Sequence, residues 1–205
     1  MDTAKPRAIT KSIAPATAHF DTGVCKYGIK TDAEIAGKFP KHKQGRVKNQ
    51  RDAVCALLEL ARQNILEICH EIEGDLEIMH STNMAESRRV NRLLENVQLK
   101  RIRSPFEHAR ILAGWGVTKE SAKQDRESML NFAIKNYGRM RLINEVTGGN
   151  KKADAYHIWA AECAGTQFFV TVDEKLVNIC RHQRKCEFRT RIVYPTDLLS
   201  ELKKA

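Results

Sequence analysis

Apolar residues in this chain follow two spacings, one of strands and one of helices. Ala18-His19-Phe20-Asp21-Thr22 is a short apolar run that ends on an acid and enters Gly23, and the residues after it have a helical pattern. Val54, Leu57, Leu58, Ala61, Ile65, Ile68, Cys69 and Ile72 recur at helical spacing and predict one long amphipathic helix ended near Gly74. A short strand about Leu76 to Ser81 then leads to a helix carrying Met84, Val90, Leu93 and Leu94. Pro105 is expected to start another helix ending near Gly114 or Gly116, and Met129, Phe132, Ala133, Tyr137 and Met140 mark a further one before the Gly148-Gly149 break. From Asp154 to Asp173 the chain has an apolar helix, a turn at Gly165, and the strand Phe168-Phe169-Val170-Thr171-Val172. Helices that separate short apolar strands predict an α/β fold, a parallel sheet covered on both faces, here with extra helical insertions. Residues 1–17 are polar and contain proline, so they are expected to be a flexible arm ahead of a single domain over 18–205. The Gly- and Lys-rich stretch 36–45 is expected to be a mobile basic loop.

Both late elements carry a carboxylate at one tip, Asp154 opening the helix and Asp173 closing the strand, and Asp21 closes the early strand in the same way. Apolar surroundings disfavour a charged carboxylate unless something pairs with it, so acids at the tips of core elements suggest a bound cation. In α/β sheets the ligand crevice lies outside the carboxyl ends of the strands, where Asp21 and Asp173 meet if their strands are neighbours. Each acid also has a plainer reading: Asp154 as a helix cap, Asp21 and Asp173 as turn residues. His157, one turn after Asp154, reads as a packed histidine, and Thr22 and Thr171 as carboxylate-orienting or simply β-forming residues.

These pieces resemble the PIN domain, a family of metal-dependent nucleases that includes the VapC-type toxin ribonucleases. The resemblance rests on His19-Phe20-Asp21-Thr22, on Lys152-Ala153-Asp154-Ala155-Tyr156-His157 with Ala160-Ala161, on Phe169-Val170-Thr171-Val172-Asp173, and on a closing strand and helix in Ile192-Val193-Tyr194-Pro195-Thr196-Asp197-Leu198-Leu199. A further family acid follows a second strand, and Glu86 after Leu76 to Ser81 fits that place, with Glu71 and Glu77 as rivals. The match is close from about Lys151 onward and absent from roughly residues 24 to 75, and the chain is longer than the compact toxins. The resemblance implies Asp21, Glu86, Asp154 and Asp173 as catalytic metal ligands of an endoribonuclease cutting single-stranded RNA. It also implies a small antitoxin partner if the chain is a toxin, and a homodimer. An all-carboxylate ligand set suits Mg²⁺ or Mn²⁺ better than Zn²⁺. Carboxylates facing one crevice repel each other without metal, so Asp173→Asn is expected to stabilise the metal-free protein.

The formal net charge of +10 favours a polyanionic partner. Lys38, Lys41, Lys43, Arg46, Lys48 and Arg51 form one basic cluster, and Arg88, Arg89 and Arg92 follow Glu86. Arg181, Arg184, Lys185, Arg189 and Arg191 form a third. Lys41, Lys43, Arg46, Arg88, Arg89 and Arg92 are the candidate RNA contacts. Six cysteines without a CxxC pair give no disulfide framework; Cys55, Cys69 and Cys163 read as small core residues on helices, and Cys180, His182 and Cys186 match no common zinc module. No apolar run reaches membrane-spanning length and no apolar stretch follows Lys5, Arg7 and Lys11, so a cytoplasmic protein away from membranes is expected. Phe20-Asp21-Thr22-Gly23 also spells the aspartic-protease motif, but that dyad needs two such aspartates and one copy occurs. A non-catalytic RNA-binding module is the main alternative; it would keep the basic clusters and not need the acids.

Overall fold

A computed structural model describes residues 14–29, 41–70, 84–102, 119–149 and 151–204. The strands are β1 (Ala16–Phe20), β2 (Leu66–His70), β3 (Leu99–Arg101), β4 (Phe168–Val170) and β5 (Arg191–Val193). They form one sheet in the order β3-β2-β1-β4-β5, with every neighbouring pair parallel. Eight helices among the described residues cover it: α1 (Thr22–Tyr27), α2 (Lys41–Arg62), α3 (Met84–Leu93), α4 (Lys119–Asn136), α5 (Gly138–Val146), α6 (Lys152–Cys163), α7 (Glu174–His182) and α8 (Pro195–Leu202). The α/β class expected from the sequence is what the chain adopts.

Strand order explains which face each helix takes. From β1 the sheet grows one way to β2 and β3, then restarts on the other side of β1 with β4 and β5. Right-handed crossovers put helices on opposite faces when the direction of growth reverses. Val24, Val54, Leu57, Leu58 and Val90 from α1, α2 and α3 accordingly pack with Ala18, Phe20 and Ile68 on one face, where Leu198 of α8 joins them. Met140, Ile143, Ile158, Trp159, Leu176 and Val177 from α5, α6 and α7 pack with Phe169 and Ile192 on the other. Strand alternation does the sorting: Phe168 and Val170 face one core and Phe169 the other. Ala155 to Glu162 are all buried, so α6 is a core helix without a solvent face.

Four expectations change. The long helix ends at Arg62, and Leu66–His70 is strand β2. Asn64 turns the chain with φ 59°, the left-handed conformation that stops helices, and Leu66 and Ile68 then alternate inward as a strand requires. Ile68 and Cys69 mimic a continued helical stripe because β2 is buried on both faces, so neighbouring residues are both apolar, while Ile65 is exposed and precedes the strand. Lys41 to Gly45, expected in the basic loop, belong to α2. β1 begins at Ala16, two residues inside the expected arm. The strand expected at 76–81, the rivals Glu71 and Glu77, the helix expected from Pro105, most of the arm, and Lys38 lie outside the described residues. Tyr137, in an extended conformation, divides the expected helix around Met129 to Met140 into α4 and α5. Among the described residues no helix is long and apolar enough to cross a membrane.

Candidate active site

The direction of sheet growth reverses between β1 and β4, and a crevice opens at such a switch point beyond the carboxyl ends of the strands. Asp21 directly follows β1, and Thr171-Val172-Asp173 directly follow β4, so both acids occupy that edge. The hydrogen-bonded ladder continues past the strands: Asp21 N–H donates to the Val170 carbonyl at 3.0 Å and Thr171 N–H to the Val193 carbonyl at 3.1 Å. The adjacency required by the sequence argument is therefore present.

Thr171 is fully buried, and its hydroxyl joins the two acids. Oγ1 donates to Asp21 Oδ2 at 2.8 Å and accepts from the Asp173 N–H at 3.2 Å. Of the two readings of Thr171, the carboxylate-orienting one describes its contacts. Asp173 also caps α7, Oδ1 accepting from Leu176 N–H at 3.0 Å. Asp154 sits in the first turn of α6 and is not its cap; Lys151 holds that position.

Lys151 is the residue that sequence reasoning missed. Its ammonium lies 3.3 Å from Asp154 Oδ2 and also pairs with Asp173 Oδ2, so one cation bridges two of the candidate acids. Partial burial pushes the Asp173 carboxyl upward, but the Lys151 ammonium and the Leu176 amide outweigh it and hold the pKa below the ordinary carboxylate value. Burial pulls Lys151 down, yet its hydrogen bond to Asp173 and the charge of Asp154 leave it above the usual lysine value. The N-termini of α6 and α7 add positive dipole ends to the same edge. The three-residue spacing of Lys151 and Asp154 was the available signal.

Glu86 falls in the first turn of α3, and its side chain lies outside the described set. The crossover from β2 to β3 sends α3 back along the sheet. Its last turn lies beside the end of α2, where Arg62 Nη2 donates to the Leu93 carbonyl at 2.9 Å. His157 is buried and packs edge-on against Tyr156, the packed role expected of it. Among the described residues no group of three or more His, Cys, Asp or Glu side chains is arranged to hold a metal ion. The donor set nevertheless suits a hard divalent cation: every member is a carboxylate, and two already share one cationic partner.

Of the basic candidates, Arg46 projects from α2 to Glu174, beside Asp173. The side chains of Lys41 and Lys43 lie outside the described set. Arg88 and Arg92 are exposed on α3 and Arg89 is half-buried. Cys69 is a buried strand residue, whereas Cys55 and Cys163 are exposed, which corrects the reading of all three as core helix positions. Cys180 and Cys186 are both buried; burial pushes the Cys180 thiol up to about 12 and raises that of Cys186 as well. No protein-family model matches the chain, and no curated protein matches it.

Proposed function

We propose that the protein is a Mg²⁺- or Mn²⁺-dependent endoribonuclease of the PIN type acting on single-stranded RNA. The observation that carries this reading is the convergence of Asp21 and Asp173 on the switch point, with Asp154 joined to Asp173 through Lys151. Asp21, Asp154 and Asp173 would hold the cation, with Glu86 approaching from α3. When bound, a divalent ion supplies an acidified water and neutralises charge at phosphorus. Thr171 fixes the direction of the Asp21 carboxylate, and the α7 amide end fixes that of Asp173. Lys151 neutralises Asp154 and Asp173 in the metal-free protein and would give way to a bound ion.

All six cysteines are thiols, in keeping with a reducing, cytoplasmic setting. Partnership with a small antitoxin and homodimer formation remain parts of the proposal that rest on the resemblance alone. The test is cleavage of a single-stranded RNA pool with Mg²⁺ or Mn²⁺ by wild type and Asp21→Asn. Divalent-dependent cleavage lost in the variant is expected. Equal cleavage in excess chelator would overturn the mechanism, and RNA binding without any cleavage would favour a non-catalytic binding module.

A further inference from the structure

Three elements meet beside Asp173 and bring two guanidiniums to one aromatic ring. Tyr194 leaves the carboxyl end of β5, next to β4 in the sheet. Arg46 of α2 lies 5.8 Å from its ring centroid and Arg181 of α7 lies 5.4 Å from it, both within cation–π range. Arg46 pairs through Nη1 with Glu174, the residue after Asp173, and Arg181 pairs through Nη2 with Asp197 of α8. About half of each arginine side chain is exposed, 49% for Arg46 and 46% for Arg181.

We propose that Arg46, Tyr194 and Arg181 form a phosphate clamp for single-stranded RNA at the rim of the acidic crevice. The proposal rests on the nuclease reading for the identity of the polyanion, and it names the residues that hold it. A crevice lined by carboxylates repels a phosphate chain, so substrate needs cations at its border. A planar guanidinium offers five N–H donors, and each of these two uses a single terminal nitrogen for its carboxylate. Exposed ion pairs contribute little, so exchanging Glu174 or Asp197 for a phosphate costs little. The Tyr194 ring holds both guanidiniums in advance, which lowers the ordering cost of binding. Arg181 also borders an open groove of about 310 Å³ that passes Phe188 and Thr190 along edge strand β5, a channel for the chain beyond the clamp.

The experiment measures anisotropy of a fluorescein-labelled oligouridylate in chelator, so that binding is read without cleavage. Arg46→Gln with Arg181→Gln should weaken binding by at least about tenfold. The same pair should flatten the salt dependence by about 1.4 units of log K per log salt, roughly 0.7 for each lost contact on a single strand. Glu174→Gln removes the competing carboxylate and should tighten binding, a gain that a purely structural Arg46–Glu174 tie would not give. Tyr194→Phe should bind as wild type does, and Tyr194→Leu more weakly, with melting temperatures recorded for each variant. An unchanged slope in a folded double variant, or no tightening in Glu174→Gln, would overturn the clamp, as would a wild type that binds no single strand. Binding lost in the double variant of a protein that never cleaves RNA would uphold the clamp and reject the nuclease reading.

Discussion

Thr171 and Asp21, 150 positions apart in sequence, are joined by a 2.8 Å hydrogen bond across the junction of β1 and β4. Because the same hydroxyl accepts from the Asp173 N–H, it sets the relative placement of two candidate metal ligands. Thr171→Val keeps the shape and removes the bond. The expected cost is about 1–2 kcal/mol, a fall in melting temperature of roughly 3–6 °C for a chain of this size. Cleavage should fall further than stability explains, and Thr171→Ser should restore it. A valine variant with full activity would mean that the hydroxyl orients nothing that matters.

Repulsion among the acids leads to the expectation that Asp173→Asn stabilises the metal-free protein. Lys151 reverses the sign. Asparagine can still cap α7, but it no longer attracts the ammonium that Asp173 and Asp154 share. Asp173→Asn should therefore lower the metal-free melting temperature, while Mg²⁺ or Mn²⁺ stabilises wild type more than the variant. Thermal denaturation in chelator and in divalent ion checks both parts, and a raised melting temperature in chelator would restore the repulsion argument.

The same pair defines a pH window. The folded-state pKa of Asp173 lies below the ordinary 3.8, so its contribution is present above that value and is lost as pH falls through the folded one. The folded-state pKa of Lys151 lies above 10.5, so its contribution is complete below that value and is lost as pH rises through the folded one. The difference in melting temperature between wild type and Lys151→Met should hold level from about pH 5 to 9 and close on both sides. A difference that changes near neutrality would point to another group, such as a histidine.

What the sequence made legible were elements whose pattern is local. Asp21 directly follows β1 and Asp173 comes three residues after the end of β4, and the apolar helix before β4 carries its acid in the first turn, so three acids and the parallel sheet could be anticipated. Strand β2 was not, because Ile68 and Cys69, buried on opposite faces of the sheet, continue the helical spacing of the preceding residues, and the break is marked by the single residue Asn64. The Arg46–Tyr194–Arg181 assembly was out of reach for a different reason: it joins α2, β5 and α7, and no local pattern reports a contact between positions so far apart.

Arg139 and Glu162 are a second case of a long-range pair with no local signature. Arg139 Nε and Nη2 donate to the two Glu162 oxygens at 2.7 and 2.6 Å, and Arg189 N–H donates to Glu162 Oε1 at 2.8 Å. Glu162 is buried at the end of α6, while a quarter of the Arg139 side chain is exposed. Removing one partner of a buried pair is costly, so Glu162→Ala should destabilise by about 3 kcal/mol. Replacing both residues with methionine should recover most of that loss. Denaturant titration of the three variants checks this, and a harmless Glu162→Ala would show that the pair does not tie α5, α6 and the approach to β5 together.

Lys151 offers the sharpest test of cation binding at the acids, because it can be removed without touching a carboxylate. In the metal-free protein its ammonium holds Asp154 and Asp173, and any ion bound by those acids competes with it. Lys151→Met keeps the length of the side chain and removes the charge. Two effects of opposite sign should follow: a lower melting temperature in chelator, since the acids lose their counter-charge, and a larger rise on adding Mg²⁺ or Mn²⁺, since the internal competitor is gone. Isothermal titration of the divalent ion should show tighter binding in the variant than in wild type. If the methionine protein is destabilised and gains nothing from divalent ions, Lys151 is a structural counter-charge, and these carboxylates are not a metal site.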